Sequence, residues 1–269
     1  MTGVDPYRIP SRAVANLRHV GGHPTADGGR VRAGLLYRSA ELAAPQVADD
    51  EVLAGLGLRT VVDLRTLSET RLAPDVLPAG ARGVHLDVLA ADPDAPATDL
   101  ASLLQEPARL SASLAAQPPV EQMLATYVEL VVSSPARTGY AALARLLLAD
   151  DARPVLVHCT AGKDRTGWAV TVLLLVAGVP DDAVRDEYLS VNPAVQEAFA
   201  PVISAFAAAG GDAALLEPLL EVRPEYLAAA LDAMRTEFGS LAGYLSDGLG
   251  LAAAEIVALR AVLREPAAR

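Results

Sequence analysis

The residues whose types and spacing can do chemistry lie in one stretch, residues 155–167, Val-Leu-Val-His-Cys-Thr-Ala-Gly-Lys-Asp-Arg-Thr-Gly. It holds the single cysteine of the chain, Cys159, and its single lysine, Lys163; every other basic side chain among the 22 Lys+Arg is an arginine. Five residues separate Cys159 from Arg165. That length lets the backbone curl so that successive N–H groups converge on one tetrahedral anion, and the planar fork of Arg165 closes the ring with two hydrogen bonds. Thr160, Ala161, Gly162, Lys163, Asp164 and Arg165 are then the phosphate-binding residues. The thiolate of Cys159 is the nucleophile, His158 braces the loop, and the Thr166 hydroxyl donates to the sulfur when it must leave. The chemistry expected is attack of sulfur on phosphorus, a transient phosphocysteine, and release of phosphate by water.

Such a loop needs a strand to deliver the cysteine and a helix to receive the anion. Residues 154–158, Pro-Val-Leu-Val-His, form a short apolar run rich in β-branched residues, which predicts a buried strand. Residues 166–177 are apolar nearly all round and end at Gly178 and Pro180, which predicts a buried helix too short to span a membrane. Cys159 therefore sits near a helix N-terminus, where free amides and the helix dipole favour anions and a thiolate.

A leaving alkoxide or phenoxide needs a proton, and the hydrolytic water must lose one; a carboxyl can do both. Asp164, inside the loop and flanked by Lys163 and Arg165, is the first candidate, and its cationic neighbours suit it better as a base. The alternative is an acid from the irregular stretch 90–120 or its approach, with Asp92 and Asp87 (and Asp94) as candidates. Lys163 is expected to bind a second phosphate of an inositol ring or to strengthen the field of the loop. The four histidines have no metal-ligand spacing with Cys159, so no metal and no other cofactor is expected.

The motif His158-Cys-Thr-Ala-Gly-Lys-Asp-Arg-Thr166 resembles the signature of cysteine-dependent protein tyrosine phosphatases, in the spelling of the bacterial atypical, mycobacterial PtpB-like branch. The resemblance extends in patches from Asn16 to about Leu263. Asn16-Leu-Arg-His-Val-Gly-Gly22 is similar to the Asn-Phe-Arg-Asp-Leu-Gly-Gly of that branch, with His19 in place of the aspartate, and Asp63-Leu-Arg65 is a recurrent piece. It implies a cysteine-phosphatase-type α/β fold, a mostly parallel central sheet flanked by helices, with a helical lid or insertion. It also implies activity on phosphotyrosine proteins and on phosphoserine, phosphothreonine and phosphoinositides. Lysine at the fourth loop position and aspartate before the arginine are similar to lipid-phosphatase loops. A phosphate-recognising binding module without turnover and a rhodanese-like sulfur transferase are the alternatives; the intact Cys159, Arg165 and Thr166 speak against the first. A Walker A loop fits poorly, since Asp164 stands where Ser or Thr should follow Gly162-Lys163.

The bulk of the chain sets limits. Its 269 residues, 52% hydrophobic, suffice for one phosphatase domain over residues 1–269 with a large core. The net charge of −11 argues against nucleic acid and against a membrane surface held by charge. No signal peptide opens the sequence and no run qualifies as a membrane span, so the expected location is the cytoplasm, or outside by a route without a signal peptide. One cysteine excludes an internal disulfide framework. Arginine in place of lysine points to a GC-rich bacterial genome. On oligomeric state the sequence is silent.

Around the loop, helices are predicted near 49–58, 121–130, 138–148, 181–192, 224–238 and 251–263, and strands near 59–65 and 83–88. Residues 66–71 are expected as polar helix or loop. Arg18 and Arg38 are braces near the site or ordinary ion pairs; Asp63 and Arg65 are expected to be structural, Tyr127 to be core, and His19 and His23 to be surface loop residues. Residues 193–222, strongly apolar with Gly210-Gly211 as a joint, are either a core hairpin or a helical lid.

Overall fold

The computed structural model describes residues 5–90 and 118–265. In chain order the strands are β1 (Arg18–His19), β2 (Arg30–Val31), β3 (Leu36–Ser39), β4 (Thr60–Asp63), β5 (Arg82–His85), β6 (Val155–His158) and β7 (Arg264–Glu265). Five form the central sheet in the order β1-β3-β6-β4-β5. β3, β6, β4 and β5 are parallel, and β1 joins β3 antiparallel at one edge. β2 and β7 make a separate antiparallel pair.

β6 lies in the middle, and its four residues are all buried. A central parallel strand is covered on both faces and so reads as a continuous apolar run. Period-two alternation sends its side chains into two cores. Val155 and Val157 join Leu36, Val62 and Leu64 in the larger one. Leu156 joins Tyr37, Val61, Leu42, Val47 and Leu53 in the smaller one.

The α-helices of four residues or more, numbered among the described residues, are α1 (Glu51–Gly55), α2 (Leu67–Leu72), α3 (Pro119–Val132), α4 (Ser134–Leu148), α5 (Asp164–Ala177), α6 (Asp181–Leu189), α7 (Asn192–Ala208), α8 (Glu217–Leu220), α9 (Pro224–Phe238) and α10 (Ala253–Leu263). The larger core takes side chains from α3 to α7, α9 and α10, with Val195 as the buried contribution of α7. The smaller is closed by the N-terminal segment, a 3-10 turn at Pro45–Asp49 and α1. The fold is thus α/β, a mostly parallel sheet with helices on its faces, as expected.

Two local expectations change. The helix near 49–58 shrinks to α1, because the Asp50 carboxylate caps the Leu53 amide at 2.9 Å and Gly57 turns into positive φ. His23 is buried rather than on the surface, stacked on the Tyr7 ring at 4.0 Å.

The stretch read as core hairpin or lid builds a small core of its own. Phe206, Leu216 and Leu220 are buried against one another, with Phe199, Ile203, Leu215 and Leu219 packed on them. Its base is closed by a reciprocal clamp: Asn192 Nδ2 donates to the Val222 carbonyl at 2.9 Å, and the Val222 amide donates to Asn192 Oδ1 at 2.8 Å. Of the glycine joint, Gly210 turns at φ +89°, whereas a Cβ on Gly211 would lie 2.3 Å from the Phe206 ring.

Candidate active site

The site lies beyond the carboxyl ends of the parallel strands, where α/β sheets bind ligands. His158 ends β6 and pairs across the ladder with Ser39 of β3 and Asp63 of β4. Cys159, buried and free, follows at once. Residues 160–163 turn into α5, whose first turn carries Asp164 and Arg165.

The loop is shaped from outside by groups that hold its carbonyls. Asn16 Nδ2 donates to the carbonyls of Ala161 (3.1 Å) and Gly162 (3.2 Å). Arg38 Nη2 donates to the carbonyl of Gly162 at 2.6 Å and lies 3.4 Å from that of Lys163. The Thr160 carbonyl accepts the Glu41 amide at 3.1 Å. In a trans peptide the C=O and N–H point opposite ways, so carbonyls drawn outward direct amides inward. Glu187 holds Arg38 from behind at 2.8 and 3.0 Å, with both side chains buried. Arg38 is therefore a brace of the loop, and Arg18, also buried, pairs with Asp5 and Ser190 instead. Gly162 is required on two counts: its φ is +66°, and a Cβ would lie 2.1 Å from the Ser39 carbonyl oxygen.

Arg165 is fixed by Glu69 of α2. Its Nη1 and Nη2 donate to the two carboxylate oxygens at 2.6 and 2.8 Å, and the Thr160 hydroxyl donates to the same carboxylate. Glu69 cannot wander, because it is the N3 residue of a capping box. Its Oε2 accepts the Thr66 amide at 2.9 Å while the Thr66 hydroxyl oxygen accepts the Glu69 amide. Burial works against the Glu69 carboxylate, but the Arg165 bonds and charge outweigh it and hold Glu69 well below the usual carboxylate range. Burial likewise opposes the Arg165 cation, and Glu69 together with the Cys159 and Asp164 charges raises it above its ordinary value. Tyr140 completes the hold by donating to the Arg165 carbonyl at 3.1 Å.

Behind Cys159 lies a buried charge network. His158 Nε2 sits 2.8 Å from Asp75 Oδ2, and Nδ1 sits 3.3 Å from the Cys159 carbonyl oxygen. Arg65 is the hub: it donates to Asp63 (2.8–3.1 Å), Asp75 (2.7 Å), Glu41 (2.8 Å) and the Ala73 carbonyl. Burial pushes Glu41 up despite Arg65; for Asp75, burial is outweighed by His158 and Arg65, and the carboxyl is lowered. Asp63, Asp75 and His158 come within 4.8 Å of one another, close enough to hold a metal ion. The Arg65 guanidinium already binds both carboxylates, which makes the trio an ion-pair network.

The remaining candidates fall out as follows. Asp164 Oδ1 accepts the Tyr127 hydroxyl at 2.8 Å, and Oδ2 lies 3.1 Å from Lys163 Nζ. Lys163 is buried, and its ammonium also donates to the Leu219 carbonyl at 2.6 Å, at the end of α8. Thr166 is buried, but its hydroxyl has no hydrogen-bond partner among the described residues, so the expected bond to sulfur is not formed here. Asp87 is spent on backbone: its carboxylate accepts the amides of Leu67 (3.1 Å) and Leu89 (3.0 Å), which ties it to the α2 entry. Asp92 and Asp94 lie outside the described residues.

Sequence reasoning missed Glu69, Asp75, Glu187 and Tyr188, and read Tyr127 as plain core. Glu69 had a legible signal, since Thr66-Leu-Ser-Glu69 spells a capping box. The others lie far from the loop in sequence and carry no local pattern.

A central strand ending in a buried cysteine, an anion-shaped turn and an arginine held at a helix N-terminus define a phosphate-handling α/β enzyme. The chain belongs to the tyrosine phosphatase family, whose model matches residues 9–265. It is 35% identical over 243 residues to a putative tyrosine-protein phosphatase of Cupriavidus necator, covering 90% of this chain and 84% of that one. It is 33% identical over 270 residues to the triple specificity protein phosphatase PtpB of Mycobacterium tuberculosis, covering 92% and 96%. A tyrosine-protein phosphatase of Nostoc commune is 28% identical over 236 residues, covering 86% and 74%.

Proposed function

We propose that this enzyme hydrolyses phosphomonoesters through a phosphocysteine at Cys159. The observation that carries the reading is the alignment of Cys159 at the end of β6 with the N-terminus of α5 and with Arg165 held by Glu69. The sulfur attacks phosphorus and the ester oxygen departs. Loop amides of residues 160–165 and the Arg165 fork bind the equatorial oxygens, where charge is spread. Water then attacks phosphorus, the S–P pair returns to sulfur, and phosphate leaves. Asp164 serves the proton transfers, since it stands in the loop itself and Asp87 is occupied elsewhere.

The substrates proposed are phosphotyrosine proteins first, with phosphoserine, phosphothreonine and phosphoinositides in the same loop, in line with the triple specificity named for the mycobacterial relative. Lys163 is the residue that would take a second phosphate of an inositol ring. It now holds the Leu219 carbonyl, so it must leave residues 219–221 to do so. This supports reading residues 193–222 as a lid: a small core of its own at Phe206, Leu216 and Leu220, a neck closed by Asn192 and Val222, and a tie to the loop through Lys163, with Val195 anchoring its base in the larger core. No helix of the described residues is long and apolar enough to cross a membrane.

The test is phosphate release from a phosphotyrosine peptide and from phosphoinositides by wild type and Cys159→Ser. Release by wild type alone is expected, and the ratio between substrates weighs protein against lipid. Equal release by Cys159→Ser would overturn the cysteine mechanism. No release from either substrate, with tight vanadate binding intact, would favour a binding module.

A further inference from the structure

Two buried tyrosines are threaded onto Asp164. The Tyr188 hydroxyl (α6) donates to the Tyr127 hydroxyl (α3) at 2.6 Å, and the Tyr127 hydroxyl donates to Asp164 Oδ1 at 2.8 Å. Both side chains are fully buried. The rings meet edge to face at 6.2 Å, and Tyr226 (α9) lies against Tyr127 at 5.6 Å. A core tyrosine needs one partner for its hydroxyl, and any nearby carbonyl would serve. Here the two hydroxyls run in one direction and end on a carboxylate of the phosphate loop. Each phenol has one proton. Tyr188 spends its proton on Tyr127, which leaves the Tyr127 proton for Asp164 alone. Burial, and then the Asp164 charge, push Tyr127 well above its ordinary value, so it remains a donor wherever the enzyme works.

We infer that Tyr127 and Tyr188 are positioning residues for Asp164. Tyr127 fixes Oδ1 and Tyr188 fixes Tyr127, while Oδ2, which also pairs with Lys163 Nζ at 3.1 Å, keeps a lone pair to take the proton of the attacking water. In that step the water oxygen bonds to phosphorus, the S–P electron pair returns to Cys159, and the water proton passes to Oδ2. The inference rests on the proposal that Asp164 carries this proton transfer. The tyrosines act only through Asp164, and p-nitrophenolate leaves without needing a proton, so with that substrate their loss acts on the second chemical step and spares the first.

The experiment separates the two steps. Enzyme is mixed rapidly with p-nitrophenyl phosphate; p-nitrophenol release reports phosphocysteine formation, and acid-quenched phosphoenzyme reports its decay. Tyr127→Phe and Tyr188→Phe keep the rings and remove one hydroxyl each. In Tyr127→Phe, decay slows about tenfold, the scale of one hydrogen bond to a charged group, with formation unchanged. Tyr188→Phe slows decay less. Iodoacetate alkylation of Cys159 and vanadate affinity, which a loosened core would alter, stay at wild-type values in both. Adding Tyr127→Phe to Asp164→Asn slows decay no further. Normal decay in Tyr127→Phe beside slow decay in Asp164→Asn overturns the positioning role while leaving Asp164 in place. Normal decay in Asp164→Asn removes Asp164 from the mechanism and the inference with it. Equal losses in formation, alkylation and decay would mean that the tyrosines only support packing.

Discussion

At the scale of single residues, the site is a set of charges each held by a partner. In the proposed reaction Arg165 binds phosphate with a guanidinium that Glu69 has already oriented, so little side-chain freedom would be lost on binding. Glu69→Gln keeps the shape and removes the charge. We expect kcat/KM to fall roughly tenfold to a hundredfold, the cost of weakening one charged, bidentate contact, while Cys159→Ser remains the null control. Steady-state kinetics on a phosphotyrosine peptide check this. Lys163 is engaged with Asp164 and the Leu219 carbonyl, away from solvent. If it also takes a second phosphate, Lys163→Met harms phosphoinositide turnover selectively. Equal loss on phosphotyrosine peptide and phosphoinositide would assign it to the loop field alone.

At the scale of elements, the site depends on how one short helix starts. α2 has no buried residue, so little apolar packing holds it. Its capping box supplies its register and aims Glu69 at Arg165 with the same carboxylate. Thr66→Ala is expected to cost about 1 kcal/mol of stability, measured by urea unfolding. The same change lets Glu69 drift, so activity should fall by more than that stability loss accounts for under conditions where the variant is fully folded. A variant of unchanged activity would show that Arg165 fixes Glu69 and not the reverse. The loop itself was legible as an element because every cue was local: an apolar run before Cys159, an apolar helix after it and Gly178 at its end. α1 came out shorter than the pattern 49–58 because Asp50, inside that pattern, caps the helix.

At the scale of the whole molecule, the half-buried, ion-paired carboxylates set the acid limit of the fold. Glu69 and Asp75 both lie below their ordinary values. A depressed acid contributes stability that is fully present above its unfolded value, roughly pH 4, and is lost as pH falls through the lower folded value. Thermal melts should therefore be flat from pH 8 to 6 and fall below about pH 4. Glu41, pushed up by burial, works in the opposite sense and blunts the loss. The 193–222 segment poses the other question at this scale. Under the lid proposed above, its small core and its clamped neck would let it open as a body. Proteolysis near Gly210 should slow when vanadate fills the loop; indifference to vanadate would return the segment to the core.

The sequence by itself determined the reactive loop, the strand and helix that carry it, the α/β class and the phosphatase family. All of these rest on near neighbours in the chain, or on the resemblance carried by the full motif from His158 to Thr166. Only the tertiary structure decided which groups hold that loop. Asn16 and Arg38 draw its carbonyls outward, Glu69 aims Arg165, Asp75 backs His158, and Tyr188 and Tyr127 reach Asp164. These partners stand between 37 and 146 positions from the loop residues they touch, Tyr188 excepted, which acts through Tyr127. Their pairing follows from the strand order β3-β6-β4, which puts Ser39, His158 and Asp63 side by side, and no local pattern encodes that order. Tyr127 shows the physical reason most plainly. Its apolar ring obeys the helix period and reads as core, while its hydroxyl finds a charge that only folding brings within reach.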